Sequence, residues 1–413
     1  MLEQLQKFSA PFFKWGLAVI LLAVPLYPKF PVFNVPGTYV AVRAEDFIIA
    51  ILFFVFLLYV LKNFRSFFED KINQAIFLFI LVGLASLISG ILITQTVSPH
   101  IGFLHWARRI EYLIPFFVAV SFARRENAAF FAKLLFVAAS LVFVYGLGQM
   151  QWGFPVISTQ NDEFSKGLAL KWVPGSRLHS TFAGHYDLSA WLVLFFPFAF
   201  AWVFLVKKWF WRIFLLLGVI SPAFWILMRA ESRVSFVAFL VGVTATLWAI
   251  RKKSFILPFL IIGIFGMLTV GNLWEKYKNT VEIYKDRILG VMDEISVAPG
   301  YIYAQDSLTA PKRIREVIPK PVEVPIIEDR STSIRFNVEW PRAVRTLAKN
   351  PLLGTGYSSI GLATDSDYLR VLGETGILGT LVFLLILARV LKSSWTFLVQ
   401  SRVLDERTAY IGG

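Results

Sequence analysis

Stretches of about 20 mostly apolar residues recur along the chain, each long enough to cross the hydrocarbon core of a bilayer. A window reading places roughly ten of them, near 12–27, 46–62, 74–93, 110–122, 129–148, 186–206, 209–228, 233–250, 254–273 and 368–391. The fourth is the shortest. The pattern predicts an all-α fold, a polytopic transmembrane helical bundle forming one integral membrane domain over residues 1–413. The first apolar run follows Lys7 and Lys14, as a signal-peptide core would. With so many spans behind it and no small-residue cleavage site, it reads as an uncleaved first helix. The residues from Arg407 to Gly413 read as the opening of another span. One or two further helices are therefore expected after it, about twelve in total.

Polar positions concentrate in three segments. Residues 149–185 are rich in Gly, Pro, Ser and Asn and contain Arg177-Leu-His179-Ser-Thr-Phe-Ala-Gly184-His185. A tight connection follows at Met228-Arg229-Ala-Glu231-Ser-Arg233. The third is the long stretch 272–365, and a loop of that length is usually functional. Within it, Leu273, Tyr277, Val281, Tyr284 and Ile288 recur at helical spacing, which predicts an amphipathic helix over 275–295. Pro299, Pro311, Pro319, Pro321 and Pro325 then break helix and sheet alike. A second helix is expected over 333–349, stopped by Asn350-Pro351 and turned by Gly354-Thr-Gly356. The last helix opens at Asp365-Ser366-Asp367, residue types that cap free N–H groups. Gly373, Gly376 and Gly379 follow at three-residue spacing, which suits close packing against another helix.

Charge fixes the expected orientation. The chain carries a formal net charge of +14, but the basic residues fall in loop clusters. Lys62, Arg65 and Lys71 form one, Arg124 and Arg125 the next, then Lys207, Lys208 and Arg212, then Arg251, Lys252 and Lys253, with Arg389 and Lys392 closing the last helix. A cytoplasmic N-terminus puts all five on the cytoplasmic side, as the positive-inside bias requires. The three polar segments then face outward, and the positive charge calls for no nucleic-acid partner. The chain has no cysteine, which excludes disulfides and thiolate chemistry.

Candidate chemistry gathers on the outward side. Arg177, Arg233 and Arg335 sit at or near helix ends on separate segments. Each alone reads as a snorkelling interfacial residue. Together they read as phosphate ligands, because guanidinium forks bind phosphate oxygens bidentately and stay charged where water is scarce. Asp365, Ser366, Asp367, Arg370 and Glu374 enter the last apolar run together, and polar groups there are costly unless paired or used. Asp365-Ser-Asp367 also reads as an Asp-x-Asp metal motif, although two carboxylates at a helix start are commonly caps. His100, His105, His179 and His185 show no metal-ligand spacing, and no Gly-x-Ser-x-Gly elbow is present.

These elements, in this order, resemble the superfamily of O-antigen ligases and Wzy-type polysaccharide polymerases, over about residues 130–392 and most strongly over 331–379. That family carries a His-(Asn/Ser/Gln)-x9-Gly-x-x-Gly motif after its large loop. Here Asp365-Ser366 is followed by nine residues and then Gly376-Ile-Leu-Gly379. Trp340, Pro351, Gly354 and Gly356 resemble the family's Trp…Pro-x-x-Gly-x-Gly stretch, Arg335 its loop arginine and Ser232-Arg233 its Ser-Arg helix start. Arg177 with Ser180-Thr-Phe and Gly184 resembles a weaker third block. The departure is Asp365, which stands where the family has histidine. The resemblance implies an inverting membrane glycosyltransferase of the GT-C type in a bacterial inner or plasma membrane, with no metal or other cofactor. Its partners would be a polyprenyl-diphosphate-linked glycan, an acceptor glycan or lipid, and membrane lipids. Arg233, Arg335 and Arg177 would hold the diphosphate and Asp365 would take the proton of the acceptor hydroxyl. Ser366, Asp367, Arg370 and Glu374 would support the acceptor. Polymerisation, ligation and protein O-glycosylation remain open within the superfamily. Outside it stand a flippase for lipid-linked sugars and a scaffolding protein.

Overall fold

A computed structural model describes residues 2–27, 31–36, 41–122, 127–157, 169–270, 272–279, 281–282, 340–360 and 366–400. The helices in chain order are α1 (Leu2–Leu26), α2 (Ala44–Lys62), α3 (Phe64–Glu69), α4 (Lys71–Leu92), α5 (Pro99–Phe122), α6 (Ala128–Gln151), α7 (His185–Leu205), α8 (Trp209–Leu215), α9 (Ser221–Ala230), α10 (Arg233–Ala249), α11 (Ile256–Thr269), α12 (Leu273–Asn279), α13 (Trp340–Lys349) and α14 (Asp367–Gln400). A π-turn over Leu216–Ile220 joins α8 to α9 as one span. A 3-10 turn over Lys253–Phe255 leads into α11, and two short antiparallel pairs are formed by β1 (Pro31–Asn34) with β2 (Ala41–Arg43) and by β3 (Pro155–Ile157) with β4 (Ala169–Lys171).

The fold is the polytopic helical bundle expected. Among the described residues, six helices or joined helices are long and apolar enough to cross a membrane: Ala44–Lys62, Lys71–Leu92, Ala128–Gln151, His185–Leu205, Trp209–Ala230 and Asp367–Leu398. Pro11–Leu26 and Arg233–Ala249 are shorter apolar helices. The expected span 110–122 is the second half of α5, whose first half carries Arg108 and Arg109. Large apolar side chains cover the outside, with Leu194 76% exposed and Phe265 65%, as a lipid-facing surface requires.

Two large apolar cores hold the bundle, with a smaller one of Leu87, Val97 and Tyr357 beside them. Phe196, Phe239, Ile226, Leu192 and Leu247 lock α7, α9 and α10 against α6 and α11. Phe13, Leu52, Phe56, Ile76, Phe117 and Val118 lock α1, α2, α4 and α5. Helix starts follow their polar residues: Asp70 accepts from the Ile72 N–H at 2.6 Å to open α4, and Ser232 accepts from the Ser235 N–H to open α10.

The glycine-rich end of the loop behaves differently from its expected role. Gly376 lies at φ 67°, ψ −167°, outside helical geometry, so α14 is broken there. The backbone of residues 351–356 fills the break. Ile377 N–H donates to Pro351 C=O at 2.9 Å, Leu378 N–H to Leu352 C=O at 3.1 Å, Thr355 N–H to Gly373 C=O at 3.0 Å and Gly356 N–H to Glu374 C=O at 2.9 Å. Buried backbone groups freed by a broken helix must be satisfied, and this wedge satisfies them. Gly376 therefore admits a loop backbone, not a neighbouring helix: a Cβ there would strike Leu352 O and Gly354 N. On the other side the wedge sits on α4, where a Cβ on Gly90 would come within 2.6 Å of Thr355 O.

Candidate functional site

The segment before α7 is built to present Arg177. Gln149 of α6 accepts from the Ser180 N–H at 2.9 Å and donates through Nε2 to Ser180 C=O at 2.8 Å. Ser180, left-handed at φ 51°, donates its hydroxyl to Val142 C=O at 2.6 Å, and Thr181 donates its own to Pro25 C=O of α1. The Leu178 N–H donates to Arg229 C=O at 3.1 Å, satisfying a carbonyl in the last turn of α9. The Arg177 segment and the α9–α10 turn that carries Arg233 are thus joined backbone to backbone.

Arg177 Nη1 lies 2.6 Å from His185 Nε2, and its guanidinium stands 6.0 Å from the Tyr186 ring. A guanidinium has no acceptor, so Nε2 of His185 accepts and the ring is a neutral imidazole with its proton on Nδ1. The His179 ring lies nearby, tilted against that of His185 with centroids 5.8 Å apart. Its Nδ1 is buried without a hydrogen-bond partner. Burial first, and then the Arg177 charge, hold its pKa below the ordinary histidine value.

The α9–α10 turn has its own anchor. Glu231 takes the left-handed conformation, φ 52° and ψ 36°, and is buried. Its carboxylate accepts from the Asn272 N–H at 3.3 Å and pairs with the Lys276 ammonium of α12. Tyr277 donates its hydroxyl to Arg233 C=O at 2.5 Å. Lys276 also lies within electrostatic reach of His185, and Arg229 sits over the Trp225 ring. The loop helix starts at Leu273, two residues ahead of the expected 275, and it is seated on the residue that opens α10.

The polar opening of α14 forms a second group. Ser366 caps the helix, its hydroxyl accepting from the Leu369 N–H at 3.4 Å and its carbonyl from the Arg370 N–H at 2.9 Å. The helix therefore begins at Asp367, and Asp367 belongs to its first turn. Glu374 is buried, accepts from the Ser358 N–H at 3.0 Å and faces Arg109 of α5 at 4.0 Å, with Arg370 and Asp367 close enough to act on it electrostatically. Of the expected site residues, Arg177 and Arg233 lie on segments joined by the Leu178–Arg229 hydrogen bond, and Ser366, Asp367, Arg370 and Glu374 lie at the cap and first turns of α14. Asp365 and Arg335 lie outside the described residues, as do 283–295 of the expected amphipathic helix and 333–339 of the second.

Sequence reasoning passed over His185, Lys276 and Arg109 as site residues. His185 and Lys276 had a signal, since each sits in a polar segment already singled out. Arg109 had none, because it lies inside a helix with no motif around it.

This is a helical membrane protein in which three polar connections meet at the α9–α10 turn. Residues 219–384 match the family model described as O-antigen ligase, which bears out the resemblance to the O-antigen ligase and polymerase superfamily over that stretch. No curated protein and no solved structure matches the chain.

Proposed function

We propose that the protein transfers a glycan from a polyprenyl-diphosphate donor to an acceptor hydroxyl at the outer face of a bacterial plasma membrane. The acceptor oxygen attacks the anomeric carbon with inversion while the bond from that carbon to the phosphate oxygen breaks. The lipid diphosphate leaves with the bonding electrons. Arg177, Arg233 and Arg335 hold its charge, which in a poorly hydrated site stabilises the transition state strongly. Asp365 takes the hydroxyl proton, since a carboxylate can act as a general base. Glu374 and Arg370, with Ser366 and Asp367, form the acceptor side. The reaction needs no metal, because the arginines supply the positive charge. Within the superfamily, Asp365 in place of histidine favours polymerisation of surface-polysaccharide repeats over ligation.

The observation that carries this reading is the joining of Arg177 and Arg233 through Leu178 and Arg229 inside a chain that matches an O-antigen ligase model. A flippase would draw on the broken helix at Gly376, since discontinuous helices mark transporter sites. Here the freed backbone groups are taken up by the 351–356 wedge, which weighs against that use.

The test is transfer by purified protein given a polyprenyl-diphosphate oligosaccharide in the presence of EDTA. A ladder of chain lengths indicates a polymerase and a single addition to an acceptor lipid a ligase. Arg177→Ala and Arg233→Ala should each lower transfer at least about 100-fold, the loss expected when one transition-state charge partner is removed. Full transfer by both Asp365→Ala and Arg335→Ala would sink the mechanism.

A further inference from the structure

We propose that Lys276 is a further phosphate-binding cation of the donor site, carried in by the loop and aimed by Glu231; this rests on the donor reading above. Glu231 occupies a backbone conformation that side-chain-bearing residues rarely adopt, and that placement turns its carboxylate toward α12. The Glu231 side chain is 5% exposed, and its carboxylate holds the start of α12 twice, at the Asn272 N–H and at the Lys276 ammonium. Tyr277, the next residue, is tied to the carbonyl of Arg233. The same ammonium acts electrostatically on His185, which in turn holds Arg177. Lys276 is therefore held on the turn that opens α10 at Arg233 and within electrostatic reach of the histidine that holds Arg177, and it comes from a third segment.

The charges around it favour an anion. Basic side chains outnumber carboxylates on the joined segments, which carry Arg177, Arg229, Arg233 and Lys276 with Asp187 and Glu231, and Lys276 pairs with Glu231. The pair sets a three-donor ammonium on the turn that opens α10, and an ammonium added to planar guanidinium forks suits the several oxygens of a diphosphate. The pair with Glu231 also restrains the long lysine stem, so less rotamer freedom is lost when phosphate binds.

A purely structural clamp would use the same two residues, and charge reversal separates the roles. The double variant Glu231→Lys, Lys276→Glu restores an ion pair of opposite sense. If Lys276 binds phosphate, the double variant keeps a near-native melting temperature and fails to regain transfer. Lys276→Gln should raise the inhibition constant for inorganic diphosphate about tenfold, the effect of one lost charged contact, while Lys276→Arg keeps most of it. Recovery of transfer by the double variant, or unchanged diphosphate inhibition in Lys276→Gln, overturns the proposal. Should the double variant fail to fold, the inhibition constant of Lys276→Gln decides alone. Arg233→Ala separates this inference from the reading beneath it. Full transfer by that variant defeats the donor site itself. Loss there together with native behaviour at position 276 defeats only the role of Lys276.

Discussion

At the scale of single residues, two positions carry strong expectations. Gly376 sits where φ is positive and where a Cβ would meet Leu352 O and Gly354 N. Gly376→Ala should therefore cost about 1–3 kcal/mol from the backbone conformation alone, with the steric cost added to it. Gly218 has negative φ and only ordinary contacts, the nearest at 3.4 Å, so Gly218→Ala should stay within about 1 kcal/mol of the parent. Unfolding midpoints in detergent compare the two. His179 supplies a pH dependence. Its pKa is ordinary when unfolded and lowered when folded, so below about 6.5 the unfolded chain binds more protons. Its contribution to stability is present above that pH and is lost as pH falls toward the lowered value. Melting temperature should drop between pH 7 and pH 5, and His179→Gln should flatten that part of the profile. An identical slope in the variant would assign the drop to other groups.

At the scale of elements, the wedge of residues 351–356 is the least ordinary piece. It replaces helical hydrogen bonds in α14 and is itself held from α4 and the turn after it. Ser86 donates to Glu374 C=O at 2.5 Å, Thr96 to Thr355 C=O at 2.6 Å, and Asn350 Nδ2 to the Ser89 hydroxyl at 2.9 Å. Thr96→Val leaves the Thr355 carbonyl without that donor and should cost about 1–3 kcal/mol, read from thermal unfolding. Gly90→Val should cost more, because the wedge backbone itself occupies the space. The glycine spacing Gly373, Gly376, Gly379 was legible as small-residue packing. That a loop fills the gap was not, since nothing in a three-residue repeat tells a helix neighbour from an extended backbone. The two short hairpins, β1–β2 and β3–β4, were equally illegible, each strand being three or four residues long.

At the scale of the whole molecule, the distribution of basic residues predicts orientation. The chain has no native cysteine, so single introduced cysteines report on a clean background. Gly153→Cys should react with an impermeant thiol reagent in intact cells, and Lys208→Cys only after permeabilisation. The opposite result would invert the topology and place the Arg177–Arg233 surface away from outer-leaflet donors.

The sequence by itself determined the all-α membrane class, the positions of the long spans, the family likeness and the segments where chemistry collects. Each of these rests on local signals: length of apolar runs, charge asymmetry and motif spacing. Only the tertiary structure decided which polar residues meet. Leu178 reaching Arg229, Glu231 reaching Lys276, and Arg109 reaching Glu374 across 265 positions of sequence are pairings between elements. No periodicity encodes them, because they follow from how α5, α9, α12 and α14 pack, and packing is set by the shapes of both cores at once.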